Sequence, residues 1–159
     1  MTRVNRFSLS AAATIMLAAI TVWSWRTSAQ SGDAAPLLFG LPDLIIASVS
    51  ATNTASPGAN IAFSDVTKNL QNITLSSFYD YIYICTSSNG LDSSCYVTNH
   101  IVPVALGPGA TYSWSGTITV PAGTPLGTNF LCDVADGGGQ IKESNPNNNT
   151  NSVMIIITP

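Results

Sequence analysis

The sequence predicts an all-β protein, a seven-stranded antiparallel β-sandwich preceded by an N-terminal leader, on three observations. Beyond the leader, apolar residues come in short runs rich in Ile, Val, Tyr and Thr, the residues that favour a pleated, half-buried strand. Clusters of Pro, Gly, Asn and Ser separate these runs at intervals of roughly ten residues, the spacing of turns in a sandwich. No segment carries the period of an amphipathic helix. The strand-and-turn material itself, about 115 residues, is enough to fill a two-sheet core.

Residues 1–29 read as a secretory signal peptide: Arg3 and Arg6, then the apolar FSLSAAATIMLAAITVW, then small residues with cleavage after Ala29. Retention of that apolar run as a membrane anchor is the alternative. Residues 30–41 are a linker, with Pro36 and Gly40 set against regular structure. The first strand is 43–50 (DLIIASVS), followed by a turn at Pro57-Gly58 and a second strand at 60–69. After a connection over 70–77, FYDYIYIC (78–85) is the most strongly β-prone run. A loop containing Asn89-Gly90 leads to 95–104, which Pro103 marks as an edge strand. TYSWSGTITV (111–120), TNFLCDVAD (128–136) and NSVMIIITP (151–159) complete the set.

Charge excludes several functions. Three of the five basic residues leave with the leader, so Lys68 and Lys142 stand alone against eight acids, a formal charge of −6. Binding to nucleic acid or to an anionic membrane needs clustered Lys and Arg, and two isolated lysines cannot supply them. The processed chain has no further apolar run of spanning length.

Six short motifs in register carry a family resemblance: Pro42-Asp43-Leu44, Val66-Thr67-Lys68-Asn69, Ser77-Phe78-Tyr79, ALGPGA at 105–110, VPAGTPLGT at 120–128 and DGGGQIKESNPNN at 136–148. Together they resemble the CARDB domain, the "cell adhesion related domain found in bacteria", over residues 42–159. The resemblance implies an immunoglobulin-like sandwich on exported proteins, in which the segment from Asp136 to Ser152 joins the last two strands. Asparagine side chains bond to nearby backbone and tolerate left-handed φ, so Asn145, Asn148 and Asn149 are expected to cap this connection. Calcium bound by Asp136, Glu143 and Asn148 is the alternative. Pro146 stands where the family pattern usually has a second acid, which removes a ligand. No other metal and no cofactor are expected.

Three cysteines on an exported chain predict one disulfide and one free thiol. Cys85–Cys95 closes the shorter loop and is favoured; Cys85–Cys132 is the alternative. His100 is the single histidine, in the edge segment and without a nucleophile elbow, so it reads as a surface residue and the chain as a non-enzyme. Asp80 and Asp133 could pair as a glycosidase's carboxylates. Phe130, Cys132 and Val134, however, read as the inward row and put Asp133 in solvent, whereas the family pattern suggests the opposite phase. Tyr79, Tyr81 and Tyr83 form one row of their strand, against Phe78, Asp80, Ile82 and Ile84. Whichever row faces out is exposed; if the tyrosines do, they form a contact surface.

The expected function is therefore a non-enzymatic adhesion or interaction module, secreted, periplasmic or at the cell surface, with a protein or glycan partner. A carbohydrate-binding accessory domain is the alternative.

Overall fold

The computed structural model describes residues 40–89 and 91–159. The leader and nearly all of the linker lie outside the described residues. Among the described residues no helix is long and apolar enough to cross a membrane. Eight strands follow one another: β1 Leu44–Ala51, β2 Thr54–Ala55, β3 Asn60–Asn69, β4 Phe78–Cys85, β5 Tyr96–Val102, β6 Thr111–Thr119, β7 Gly127–Val134 and β8 Thr150–Ile157. The seven expected strands are all present. The eighth is β2, whose two residues pair in parallel with Ile156 and Ile157 of β8. A two-residue strand is too short to show alternation, which is why it is hidden in the sequence.

One sheet has the order β1-β3-β6 and the other β2-β8-β7-β4-β5. Apart from β2, every pairing is antiparallel. Stacking the two places β1 over β7 and β8, and β6 beside β5 at the opposite edge. As expected, β5 is an edge strand that stops just before Pro103, whose ring nitrogen cannot donate to a ladder.

The inward rows explain the packing. They run Ile61-Phe63-Asp65-Thr67-Asn69 on β3, Phe78-Asp80-Ile82-Ile84 on β4 and Asn129-Leu131-Asp133 on β7, all of them buried. Two apolar groups form within these rows, and Asp65, Thr67, Asp80 and Asp133 lie between them. The core is accordingly split in two. One cluster gathers Phe63, Ile82, Ile84, Ile118, Leu131 and Ile155. The other gathers Leu44, Ile46, Leu75, Phe78, Val102 and Leu106. Between them lies a layer of buried polar side chains.

Cys85 and Cys95 form the disulfide, and Cys132 is free and buried. The bridge closes a short loop whose Ser88 carbonyl lies 3.9 Å from the Cys132 sulfur. Burial, and secondarily the charge of Asp133, pushes the Cys132 thiol up to about 11, so it is a poor nucleophile at neutral pH. Thiol titration is expected to find one reactive group on unfolding and none that reacts quickly in the native state. Replacing Cys85 and Cys95 by alanine should cost ~2–3 kcal/mol in a denaturant melt, the value for so short a loop.

Candidate functional site

Two features of the sandwich have chemical content: the polar layer inside it and the tyrosine row outside it. In the polar layer Asp65 comes from β3, Asp80 from β4, His100 from β5 and Asp133 from β7, all buried. His100 Nε2 and Asp65 Oδ2 are 2.6 Å apart. Asp80 accepts the Thr67 hydroxyl at 2.5 Å and the Asp136 backbone N–H at 3.1 Å. The indole of Trp114 on β6 lies flat on the His100 ring, with centroids 4.6 Å apart and planes within 3°. Gly116 makes this possible: a Cβ there would sit 2.5 Å from the Trp114 ring. The stack closes the edge of the sandwich where β5 meets β6.

Burial dominates the ionisation of this layer. It pushes Asp80 up to about 6, against the stabilising Thr67 hydrogen bond and the charge of His100. Burial pushes Asp133 up to about 9, with the charges of Asp65 and Asp80 adding to the effect. Desolvation alone would lower His100, but its hydrogen bond to Asp65 and the negative charge of Asp65 and Asp80 outweigh it and raise its pKa.

Two residues lie where the sequence did not place them. Asp133 is fully buried rather than solvent-exposed, because the inward row of β7 is Asn129-Leu131-Asp133. Phe130, Cys132 and Val134 look like a core row because they are apolar, yet they lie on the outer face under the disulfide loop and the neighbouring tyrosines. His100 is only 8% exposed rather than a surface residue, since its edge strand is roofed by Trp114. The signal for the layer was present in the sequence as one aspartate within each apolar row. What the sequence did not carry was their common level.

On the outer face of the five-stranded sheet, Tyr79 is exposed and Tyr81 and Tyr83 are half-buried, while Phe78, Asp80, Ile82 and Ile84 point inward. Tyr96 of β5 joins them, its ring centroid 5.4 Å from Tyr81 and 5.7 Å from Tyr83. Tyr81, Tyr83 and Tyr96 line an open cleft of about 570 Å³ with Leu91 and Asp92 of the disulfide loop. The outward positions of β4, β5 and β7 carry no charged side chain.

The asparagine-rich connection fastens this assembly. Asp136 sits at φ 48°, and its carboxylate accepts the N–H groups of Gln140 and Ile141 at 3.1 and 2.7 Å. Gly137 is required by proximity, since a Cβ there would lie 2.4 Å from that of Tyr81. Glu143 accepts the Leu44 N–H at 2.6 Å and the Asn149 amide, and Asn149 also donates to the Ala135 carbonyl. Asn148 donates to Asp43, and Asn145 accepts the Asn147 N–H. Asp136, Glu143 and Asn148 thus each serve a different set of hydrogen bonds.

Two stacked sheets of these orders define an immunoglobulin-like β-sandwich. The profile of the CARDB family matches residues 41–153, most of the chain, and the chain belongs to that family. Among solved structures it is similar to a CARDB domain from Pyrococcus furiosus crystallised in complex with di-metal ions, at 21% identity and a TM-score of 0.55, covering 75% of this chain and 96% of that one. It is also similar to a domain of a protein assigned to the cell surface of Methanosarcina acetivorans, at 18% identity and a TM-score of 0.53, covering 74% and 93%. At these identities the likeness concerns the fold. Among curated proteins there is no match.

Proposed function

We propose that this protein is an exported, non-enzymatic adhesion or interaction module that engages a surface partner through its tyrosine face. The observation that carries the reading is the uncharged outer row Tyr79-Tyr81-Tyr83 with Tyr96 beside it, held on a rigid sheet and uncovered along Tyr79 and Tyr96. Tyrosines offer large contact area and a polar tip at low entropic cost, which suits them to interfaces. The leader, the family's association with adhesion and the disulfide, which persists in oxidising compartments, support export. The buried carboxylates argue against glycoside hydrolysis, because Asp80 and Asp133 are both fully buried and out of a substrate's reach.

The second reading, carbohydrate binding, is favoured by the aromatic-lined cleft at Tyr81, Tyr83 and Tyr96. Labelled protein applied to intact cells and to a glycan array tests both. Saturable cell binding should fall about 10- to 30-fold in Tyr81→Ala, the loss of an interface anchor, with the fold retained by circular dichroism. Binding that survives Tyr81→Ala and Tyr96→Ala together would remove the tyrosine face from the proposal. Array binding lost in the same variants would establish the second reading instead. Turnover of a generic ester, peptide or glycoside, abolished in His100→Ala, would overturn the non-enzymatic claim.

A further inference from the structure

The polar layer holds more carboxyl oxygens than the protein supplies donors for. With both carboxyls ionised, neither oxygen of Asp133, nor Asp65 Oδ1, nor His100 Nδ1 has a hydrogen-bond partner, and the Asp133 and Asp65 carboxyls face one another closely enough that only a shared proton or a cation can join them. Asp133 is 0% and Asp65 2% exposed, so bulk solvent does not reach them. The donors that do reach the layer, the Thr67 hydroxyl, the Asp136 N–H and His100 Nε2, are already spent on Asp80 and on the other oxygen of Asp65. Neither lysine helps: Lys68 alternates to the outer face of β3, and Lys142 is exposed. His100–Asp65 is the one ion pair among the described residues. Acceptors buried without a positive partner are costly.

The spacing suits a cation. One donor atom each from Asp65, Asp80 and His100 lie within 4.8 Å of one another. Ligands at about 2.0–2.2 Å from a common ion are at most about 4.4 Å apart, so small side-chain adjustments would close the set. Asp133, from a fourth strand, adds a further carboxylate to the same layer. The surroundings resemble the outer shell of a metal site: Thr67 and the Asp136 N–H orient Asp80, and Trp114 fixes the plane of the imidazole.

We infer that Asp65, Asp80 and His100, with Asp133 beside them, form a binding site for one divalent transition cation of the manganese or zinc class. One imidazole with carboxylates is a mixed nitrogen–oxygen donor set, which suits such ions. Calcium takes six to eight oxygens at longer distances and is poorly served by it. The bound ion would tie β3 of one sheet to β4 and β5 of the other, bridging the polar layer between the two apolar clusters. The site is on the inner side of the sheet that carries the tyrosines outside, so its failure and that of the proposed binding face are separately observed.

Because Trp114 roofs the layer, the test uses the whole chain both treated with ions when folded and refolded in their presence. Manganese, zinc, cobalt and calcium chlorides are compared with chelator, reading metal content after desalting, thermal melts and, for cobalt, the visible spectrum. The expected result is one retained transition ion per chain and a rise in Tm of about 10 °C at an ion concentration ~100-fold above Kd. A cobalt ligand-field band should accompany it. Asp80→Asn and His100→Gln should lose the rise and the band, and the exposed Ser113→Ala should keep both. If those variants do not fold, the metal content and cobalt spectrum of the parent chain decide. Background metal content with coincident melts, after refolding as well as addition, would overturn the inference and leave a shared proton as the layer's positive partner. A rise with calcium alone, or one that persists in Asp80→Asn and His100→Gln, would overturn it too.

Discussion

In chelator, Asp133→Asn is expected to be more stable than the parent protein at about pH 9 and close to it at about pH 5. Burial raises Asp133 from 3.8 to about 9, so the folded state holds a proton that the unfolded chain releases near its ordinary value. Between those two values the folded state binds more protons, and stability falls as pH rises. The contribution is fully present below the unfolded pKa and is lost through the folded one. Asp80, raised to about 6, acts in the same direction over a narrower range, and His100, also raised, acts in the same direction. Each tenfold difference in proton affinity between the folded and unfolded states is worth about 1.4 kcal/mol, so the loss from Asp133 is on the order of several kcal/mol. Asparagine approximates the protonated carboxyl and does not ionise, which removes that part of the slope. Urea melts of both proteins at the two pH values check this. A parent whose stability is flat between them would show that Asp133 does not carry a proton in the folded state.

Phe78→Ala should destabilise the protein by ~3–5 kcal/mol, whereas the adjacent Tyr79→Ala should change stability by no more than ~0.5 kcal/mol. Phe78 is completely buried against Leu44, Leu75, Val102 and Leu106, and its removal leaves a cavity that a rigid sheet cannot collapse to fill. Tyr79 is 39% exposed on the opposite face. The pair of denaturant melts measures which row of β4 faces the core. Equal losses would contradict the observed facing. The reverse order would mean a one-residue slip of the strand, which exchanges its two faces.

That facing marks the limit of what was legible. Turn residues such as Pro57-Gly58, Pro108-Gly109 and Pro121 act locally, so they were visible as boundaries without knowledge of any neighbour. The edge character of β5 was visible for the same reason, because Pro103 removes its own donor wherever the strand lies. Facing was not local. In β4 both rows are apolar or aromatic, and in β7 Phe130, Cys132 and Val134 outscore Asn129, Leu131 and Asp133 as a core row by composition alone. The disulfide loop and the tyrosines beside them supply the cover that makes an apolar outer row acceptable there.

The all-β class, the number and order of the seven principal strands and the family were all legible residue by residue, because turn chemistry and strand propensity act over a few residues. The polar layer was not legible in this way. Asp65, Asp80, His100 and Asp133 are separated by up to tens of residues and are each explicable alone as a polar position on a strand. They become one site only because antiparallel register sets β4 between β5 and β7, and sheet stacking brings β3 over them. Burial then couples charges that would be independent in water, since the low-dielectric interior strengthens every interaction among them. Strand pairing is long-range, and the chemistry that depends on it is written in no single segment.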